Sequence, residues 1–386
     1  MPLPAHIVHR SPATRLVMGN GVIDTLAAEL EWPNLRLPML LAGSRTRASS
    51  VFTRVMSALS GTQSRDTEAV PAHSSVALVE QLARLARDAQ VDGFVAVGGG
   101  SASDTAKAVA LLVAEGGRLA DHAVRFTPPS TLIAPPLRAA KLPIVSIPGT
   151  ASGAEVTPSL GVRDADGAKL LFTDVQLAAR LVLIDPLANL EVPAALMCST
   201  GMNGLAHCIE GLYSRERSPL AETIALDAMV RFVPALAAVH ARPDDVGARA
   251  SLLYAAHLSG LVLINARTCL HHALCHAIGS VTGVPHGEAN AVLLPHSVAF
   301  NADAAAAPLS RAAVALGAGS DAAALVDAIR QLQAGCGVPT RLRDIGVPSE
   351  ALDRIAAKTM RERGLYYNPR PVSDAAELRV LLDAAF

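Results

Sequence analysis

GFVAVGGGSASDTAKAVALL, Gly93–Leu112, is the stretch that decides the fold. Gly93–Gly100 is an apolar run ending in three glycines, and a segment of helical period, Ser103–Glu115, follows at once. A strand running straight into a helix is the start of a strand–helix–strand crossover, which forces parallel strands. At the junction Gly98, Gly99 and Gly100 carry no Cβ, so a ligand can approach the backbone. The first N–H groups of the helix carry partial positive charge. That combination suits an anion such as a pyrophosphate, and Ser101 adds a hydroxyl donor. The spacing is not the GxGxxG of the common dinucleotide fingerprint, and a glycine triplet alone is equally an ordinary turn.

The same alternation extends on both sides. Apolar runs at Leu37–Gly43, Leu142–Pro148 and Arg180–Pro186 read as strands, and amphipathic segments at Ile23–Leu30 and Ser75–Gln90 read as helices. The DADG sequence at Asp164–Gly167 predicts a hairpin turn. From about Pro193 strand signals fade. Alanine- and leucine-rich helical segments run to the C-terminus, broken at Pro219, Pro243, Pro285, Gly335 and Pro348. The expected architecture is therefore α/β followed by all-α, with an α/β domain over 1–192 and an all-helical domain over 193–386.

Composition narrows the partners. The formal net charge is −1 and charged residues make up 17%, so no field of one sign draws nucleic acid or an acidic membrane. No uninterrupted apolar run approaches the roughly 18 residues of a membrane span, and the N-terminal sequence lacks a secretory pattern. Five cysteines with no CxxC pair fit reduced thiols. The expectation is a cytoplasmic protein with no nucleic-acid or membrane partner, and a homodimer on base rates.

Polar residues concentrate in two places in the helical half. In CLHHALCHAIGSVTGVPHGEANAVLLP, Cys269–Pro295, His272 and His276 stand four apart and share one helix face; His286 follows the GVPHG turn. In STGMNGLAHCIEGLYS, Asn203, His207 and Glu210 follow at spacings of four and three. One histidine on an apolar helix is usually a satisfied core residue, but two clusters at helical spacing point to one polar site. His271 and His296 lack such spacing and are assigned to packing, as are Cys208 and Cys275.

Taken with Asp104 and Lys107, GGGSASDTAK resembles the signature of the iron-containing alcohol dehydrogenase superfamily, and PGTASGAEVTP, Pro148–Pro158, resembles a second stretch of that family. The resemblance implies a Rossmann-like dinucleotide-binding domain, then a helical domain, as in dehydroquinate synthase. It implies a cofactor site at Gly98, Gly99, Gly100, Ser101, Asp104, Lys107 and Thr150, with Glu155 a supporting residue. In metal-dependent members an aspartate and three histidines hold Fe or Zn. The matching positions here are Asn203, His207, His272 and His286, with His276 as an additional site histidine.

The aspartate position carries asparagine, an amide that is a poor ligand beside a carboxylate. STGMNGLAHCIEGLYS, LHHALCH and NPRPV resemble the maleylacetate reductase branch. The implied activity is NADH- or NADPH-dependent reduction of maleylacetate to 3-oxoadipate in aromatic-compound degradation, with no metal and with Asn203, His207, His272, His276 and His286 acting on substrate. If a metal is held, His207, His272 and His286 hold it, as in an Fe- or Zn-dependent alcohol dehydrogenase. Arg370 is the expected contact for a substrate carboxylate. Arg45 and Arg47, after a strand with no acidic residue, are the expected contacts for a 2′-phosphate.

Overall fold

The computed structural model describes residues 7–72 and 74–386. His73 and residues 1–6, on which the absence of a secretory pattern partly rests, lie outside the described residues. The chain forms two compact units that meet in sequence at Pro193. One comprises Ser11–Arg125 and Leu132–Val192; the other comprises Pro193–Phe386, Phe126–Thr131 and the described residues before Ser11. A division by sequence order alone puts the last two segments on the wrong side. Side-chain contacts bring them over: Arg10 N–H donates to Asn265 Oδ1 at 2.7 Å, Asn265 Nδ2 donates back to Arg10 O at 2.9 Å, and the Phe126 ring packs 5.5 Å from that of Tyr366.

The α/β unit is built on a six-stranded parallel sheet in the order Arg15–Met18, Leu181–Ile184, Ile144–Pro148, Gly93–Gly98, Pro38–Ala42, Arg65–Asp66. Its inner strands are buried along almost their whole length, which is why they read as continuous apolar runs. The register sets Gly98 opposite Pro148 and Ala42 opposite Val97, so three strands end side by side. The helix after the glycines spans Gly100–Glu115, three residues longer than its periodicity predicts, because extended Gly99 serves as its N-cap. Asp164–Gly167 does close an antiparallel hairpin, Ser159–Arg163 with Lys169–Thr173, and Gly167 takes φ 80°.

Past Pro193 the structure is helical. Ala194–Tyr213, Pro219–Ala241 and Val246–Asn265 pack together through small residues: a Cβ on Gly201 would stand 2.6 Å from Leu236, and one on Gly211 2.2 Å from Val262. The latter two helices are long and apolar enough on average to span a bilayer, although neither is an uninterrupted apolar run. Burial accounts for much of that apolarity in Val246–Asn265, two thirds of which is enclosed by protein. Leu270–Thr282, His286–Phe300, Leu352–Thr359 and Ala375–Ala385 share a second apolar core. Gly335 breaks nothing: its helix continues to Cys336, and Gly337 at φ 62° ends it.

Candidate active site

Four imidazoles meet inside the helical unit. His207 comes from the middle of Ala194–Tyr213, His272 and His276 from Leu270–Thr282, and His286 from the first position of His286–Phe300. The rings of His207 and His272 stack at 4.6 Å; His286 lies 5.7 Å from His272 and 5.5 Å from His276; and His272 lies 6.2 Å from His276. Two glycines make this possible. Gly283 at φ 77° turns the chain between the second and third helices. A Cβ on Gly287 would crowd the Ser199 backbone at 3.0 Å, so glycine there lets two site helices approach.

His272 is the hub. Its Nδ1 lies 2.5 Å from Glu210 Oε2, where a ring N–H donates to the carboxylate, and its Nε2 lies 3.1 Å from Asn203 Oδ1. With Glu210 accepting at Nδ1, Nε2 faces the Asn203 amide and acts as a hydrogen-bond donor whenever the Glu210–His272 pair holds an extra proton. Glu210 is wholly buried, and its other oxygen accepts from the backbone N–H of Cys269 at 2.9 Å and of His272 at 3.4 Å. Burial raises its pKa to about 7, against the lowering effect of the nearby His271 and those backbone donors. The carboxylate thus orients the ring from behind, an arrangement that fixes tautomer and direction.

The neighbours differ in character. Burial holds the His207 pKa well below the usual imidazole value, with the nearby His272, His271 and His276 adding to the effect, and its buried Nδ1 has no partner. His207 is therefore neutral near pH 7. His276 is the accessible member shown with an acid beside it: its side chain is 29% exposed, and Glu362 Oε2 lies 3.5 Å from Nδ1. His271 packs edge-on to His272 at 5.2 Å but aims Nε2 at Asn290 Oδ1, 2.9 Å away; burial lowers its pKa to about 4. Burial also raises the Cys208 and Cys275 thiols far above their ordinary range, as suits packing residues.

The structure does not bring Arg370 to this cluster. Its guanidinium stacks 3.9 Å over the Phe300 ring and pairs with Glu377 at 3.2 Å. Phe300 ends the helix that His286 begins, about 21 Å away at 1.5 Å per residue. Arg370 is thereby corrected from substrate contact to a surface residue with its own partners.

In the α/β unit the glycine loop has the tight geometry of a ligand cradle. Gly98 takes φ 123°, and a Cβ there would stand 2.8 Å from Thr46 Oγ1; one on Gly99 would stand 3.0 Å from Thr150 Cγ2. The connections from the sheet reverse direction between Pro38–Ala42 and Gly93–Gly98, so the loop stands at the crevice where open α/β sheets bind nucleotides. Ser101 Oγ donates to Ala72 O, and Asp104 accepts from Gly161 N at 3.3 Å. Lys107 departs from the cofactor role assigned to it. It is fully buried, and Nζ donates to Ala154 O at 2.6 Å and to Thr157 Oγ1 and Ser159 O at 3.3 Å, pinning the loop after Pro148. Arg47 is likewise committed, to Asp66 at 2.6 and 2.9 Å and to the face of Phe52.

Spacing alone missed Glu362 and Lys169, and it placed Glu210 near the site without revealing its bond to His272. Glu362 and the Glu210–His272 bond join residues 86 and 62 positions apart along the chain, so no local pattern encodes them. Lys169, across the hairpin from Arg163 with its side chain lying over Gly161, joins Lys107 in opposing the burial that raises the Asp104 pKa.

Comparison with known proteins bears on both units. The sequence model "Iron-containing alcohol dehydrogenase" matches residues 13–186, and "Fe-containing alcohol dehydrogenase family, C-terminal" matches 197–386. The maleylacetate reductase of Burkholderia cepacia is 32% identical over 372 residues, 96% of this chain and 95% of that protein. The chain belongs to the iron-containing alcohol dehydrogenase family.

Within that family the 4-hydroxybutyrate dehydrogenase of Cupriavidus necator is also similar, 31% identical over 96% of this chain and 97% of its own. The crystal structure of a sulfoacetaldehyde reductase from Bifidobacterium kashiwanohense, in complex with NAD+, superposes with a TM-score of 0.88 at 25% identity and covers 99% of both chains. Membership of this family makes the chain an oxidoreductase. The donor set differs from the aspartate and three histidines that hold Fe or Zn in metal-dependent members. Asn203 supplies an amide rather than a carboxylate, His272 Nε2 already points at that amide, and the nearest anion, Glu210, stands behind His272 on Nδ1.

Proposed function

We propose that this chain is an NAD(P)H-dependent reductase of the maleylacetate reductase type, acting on an unsaturated oxo-acid without a bound metal. The observation that carries the proposal is His272 held between Glu210 and Asn203 at the centre of four imidazoles, with a proton donor where a metal-dependent relative has a cation. The cradle at Gly98–Ser101, with Thr150 against it, suits the pyrophosphate of a nicotinamide dinucleotide, which supplies the hydride when bound.

In a substrate whose C=C bond is conjugated to a ketone, the hydride forms a new C–H bond at the carbon β to the carbonyl. The π electrons move to the ketone oxygen, which becomes an enolate. Substrate oxygen takes the place of the Asn203 amide as acceptor of the His272 Nε2–H, and the charge shared with Glu210 strengthens that bond as the oxygen becomes anionic. Neutral His207 stacks on His272 and keeps its plane. His276, partly exposed and next to Glu362, takes a proton from solvent and delivers it to the α carbon, completing the saturated product. His286 closes the ring of donors.

Arg45 is the remaining candidate for the 2′-phosphate of NADPH, Arg47 being paired with Asp66. The deciding experiment follows oxidation of NADH and of NADPH with maleylacetate and, separately, with aldehydes, alongside the metal content of the purified protein. Turnover of maleylacetate with substoichiometric metal and no inhibition by chelator is expected. One equivalent of tightly bound metal, with aldehyde reduction abolished by chelator, would replace this proposal with a metal-dependent alcohol dehydrogenase.

A further inference from the structure

A second polar pocket of about 250 Å3 lies in the helical unit, and none of the four site imidazoles lines it. Its walls carry Arg10, Arg215, Arg217 and Arg267, with Glu216 the one acid among its lining residues. The volume is several times the roughly 30 Å3 that one water occupies in the liquid. Four guanidinium groups around one cavity repel each other, and planar forks of N–H donors match a tetrahedral oxyanion.

The pocket is braced. Asn265, buried, clamps the Arg10 backbone through both its amide N–H and its carbonyl, which fixes where that arginine enters. Arg215 donates to Pro369 O at 3.1 Å, a neutral acceptor, while Arg217 is held by Glu222 at 2.8 Å and Ser214 O at 3.2 Å. Arg267 is different: among the described residues no hydrogen-bond acceptor or ion-pair partner holds its guanidinium. Burial lowers its pKa from the usual guanidinium value, repulsion by Arg363 and Arg10 acts in the same direction, and the more weakly acting Tyr367 and Glu216 offset only part of it. With four arginines and one acid around the cavity, a partly buried cation that no hydrogen-bond acceptor holds is unfavourable unless a further anion joins it. Ser218 and Pro219, which open a 23-residue helix, also line the pocket and bring the positive end of its dipole to the wall.

The geometry points to a binding site for a small dianion of the phosphate class, held chiefly by Arg267 and Arg10 with Arg215 behind them. This site is separate from the imidazole cluster and does not depend on which substrate that cluster takes. The test is calorimetric titration of inorganic phosphate into the full chain at constant ionic strength, with sodium chloride as the matched control. Saturable binding at one site is expected. Arg267→Gln removes a charged donor and should weaken it about tenfold or more. Arg231→Gln, an exposed arginine paired with Asp227 elsewhere, should leave it unchanged.

If Arg267→Gln does not fold, Arg10→Gln at the exposed mouth must weaken phosphate binding instead. No saturable heat with wild type, or equal affinity in wild type and the folded pocket variant, overturns the assignment. So does a pocket variant that alters the mass measured by light scattering while phosphate binds neither protein, since the arginines would then meet carboxylates of a second copy.

Discussion

Replacing Glu210 by glutamine tests the proposed chemistry at its least exposed point. In the wild-type protein one carboxylate oxygen accepts the His272 Nδ1–H at 2.5 Å, and the other accepts two backbone N–H groups. Glutamine is nearly isosteric. Its carbonyl can keep the two backbone bonds while its amide donates to Nδ1, which leaves the ring neutral with a proton at Nε2 alone. His272 then still donates to the substrate oxygen, but without charge. A charge-assisted hydrogen bond contributes roughly 1.5–3 kcal/mol and a neutral one about 1, so the loss is roughly 0.5–2 kcal/mol.

Because oxygen becomes anionic only on the way to the transition state, the loss should appear in kcat, as a fall of roughly 2- to 30-fold, and little in KM. Glu210→Asp keeps the charge at a longer reach and should retain more activity than glutamine. Steady-state kinetics give kcat and KM, titration gives cofactor Kd, and melting gives Tm. A folded Glu210→Gln protein with wild-type kcat would refute the role of the pair. Parallel losses in kcat, cofactor affinity and Tm would reduce Glu210 to a structural residue.

Asn203→Asp places a carboxylate 3.1 Å from His272 Nε2 and restores a four-donor set; the variant should retain Zn or Fe through purification and lose reduction of the unsaturated oxo-acid by roughly 100-fold or more, the cost of losing an oxyanion donor. Elemental analysis together with kinetics checks it, and a metal-free variant with wild-type turnover contradicts the reading of Asn203. Lys107→Met leaves the oxygens of Ala154, Thr157 and Ser159 without their shared donor, at about 1–3 kcal/mol for each group left unsatisfied. Its Tm should fall by several degrees while cofactor affinity, measured cold, stays near wild type; the reverse pattern would return Lys107 to the cofactor site.

What the sequence made legible was local. Strands buried on both faces announce themselves as apolar runs, the glycines mark a strand-to-helix junction, and i,i+4 spacing brings His272 and His276 to one helix face. What it hid depends on contacts between distant residues. Asp66 lies 19 positions from Arg47 yet takes up its charge, because its strand, Arg65–Asp66, pairs in the sheet with Pro38–Ala42, the strand that precedes Arg47. Lys107 has the sequence context of an exposed helix residue and becomes fully buried only because the loop after Pro148 folds over it. Arg370 follows a motif tied to the histidine helix through Asn368, but its own side chain turns toward Phe300.

The pairing of Gly98 with Pro148 has a consequence for how this protein tolerates change. Thr150 meets Gly99 only because two neighbouring strands keep step, and the backbone bond from Gly149 N–H to Gly98 O, 2.8 Å, is the last rung of that ladder. Adding or deleting a single residue within Gly93–Gly98 would shift the two loops by about 3.3 Å and turn every following side chain to the other face. Changes of length in this region should therefore be tolerated only at the far ends of the strands, and the crevice beside the glycine loop inherits its dimensions from the sheet rather than from the loops that line it.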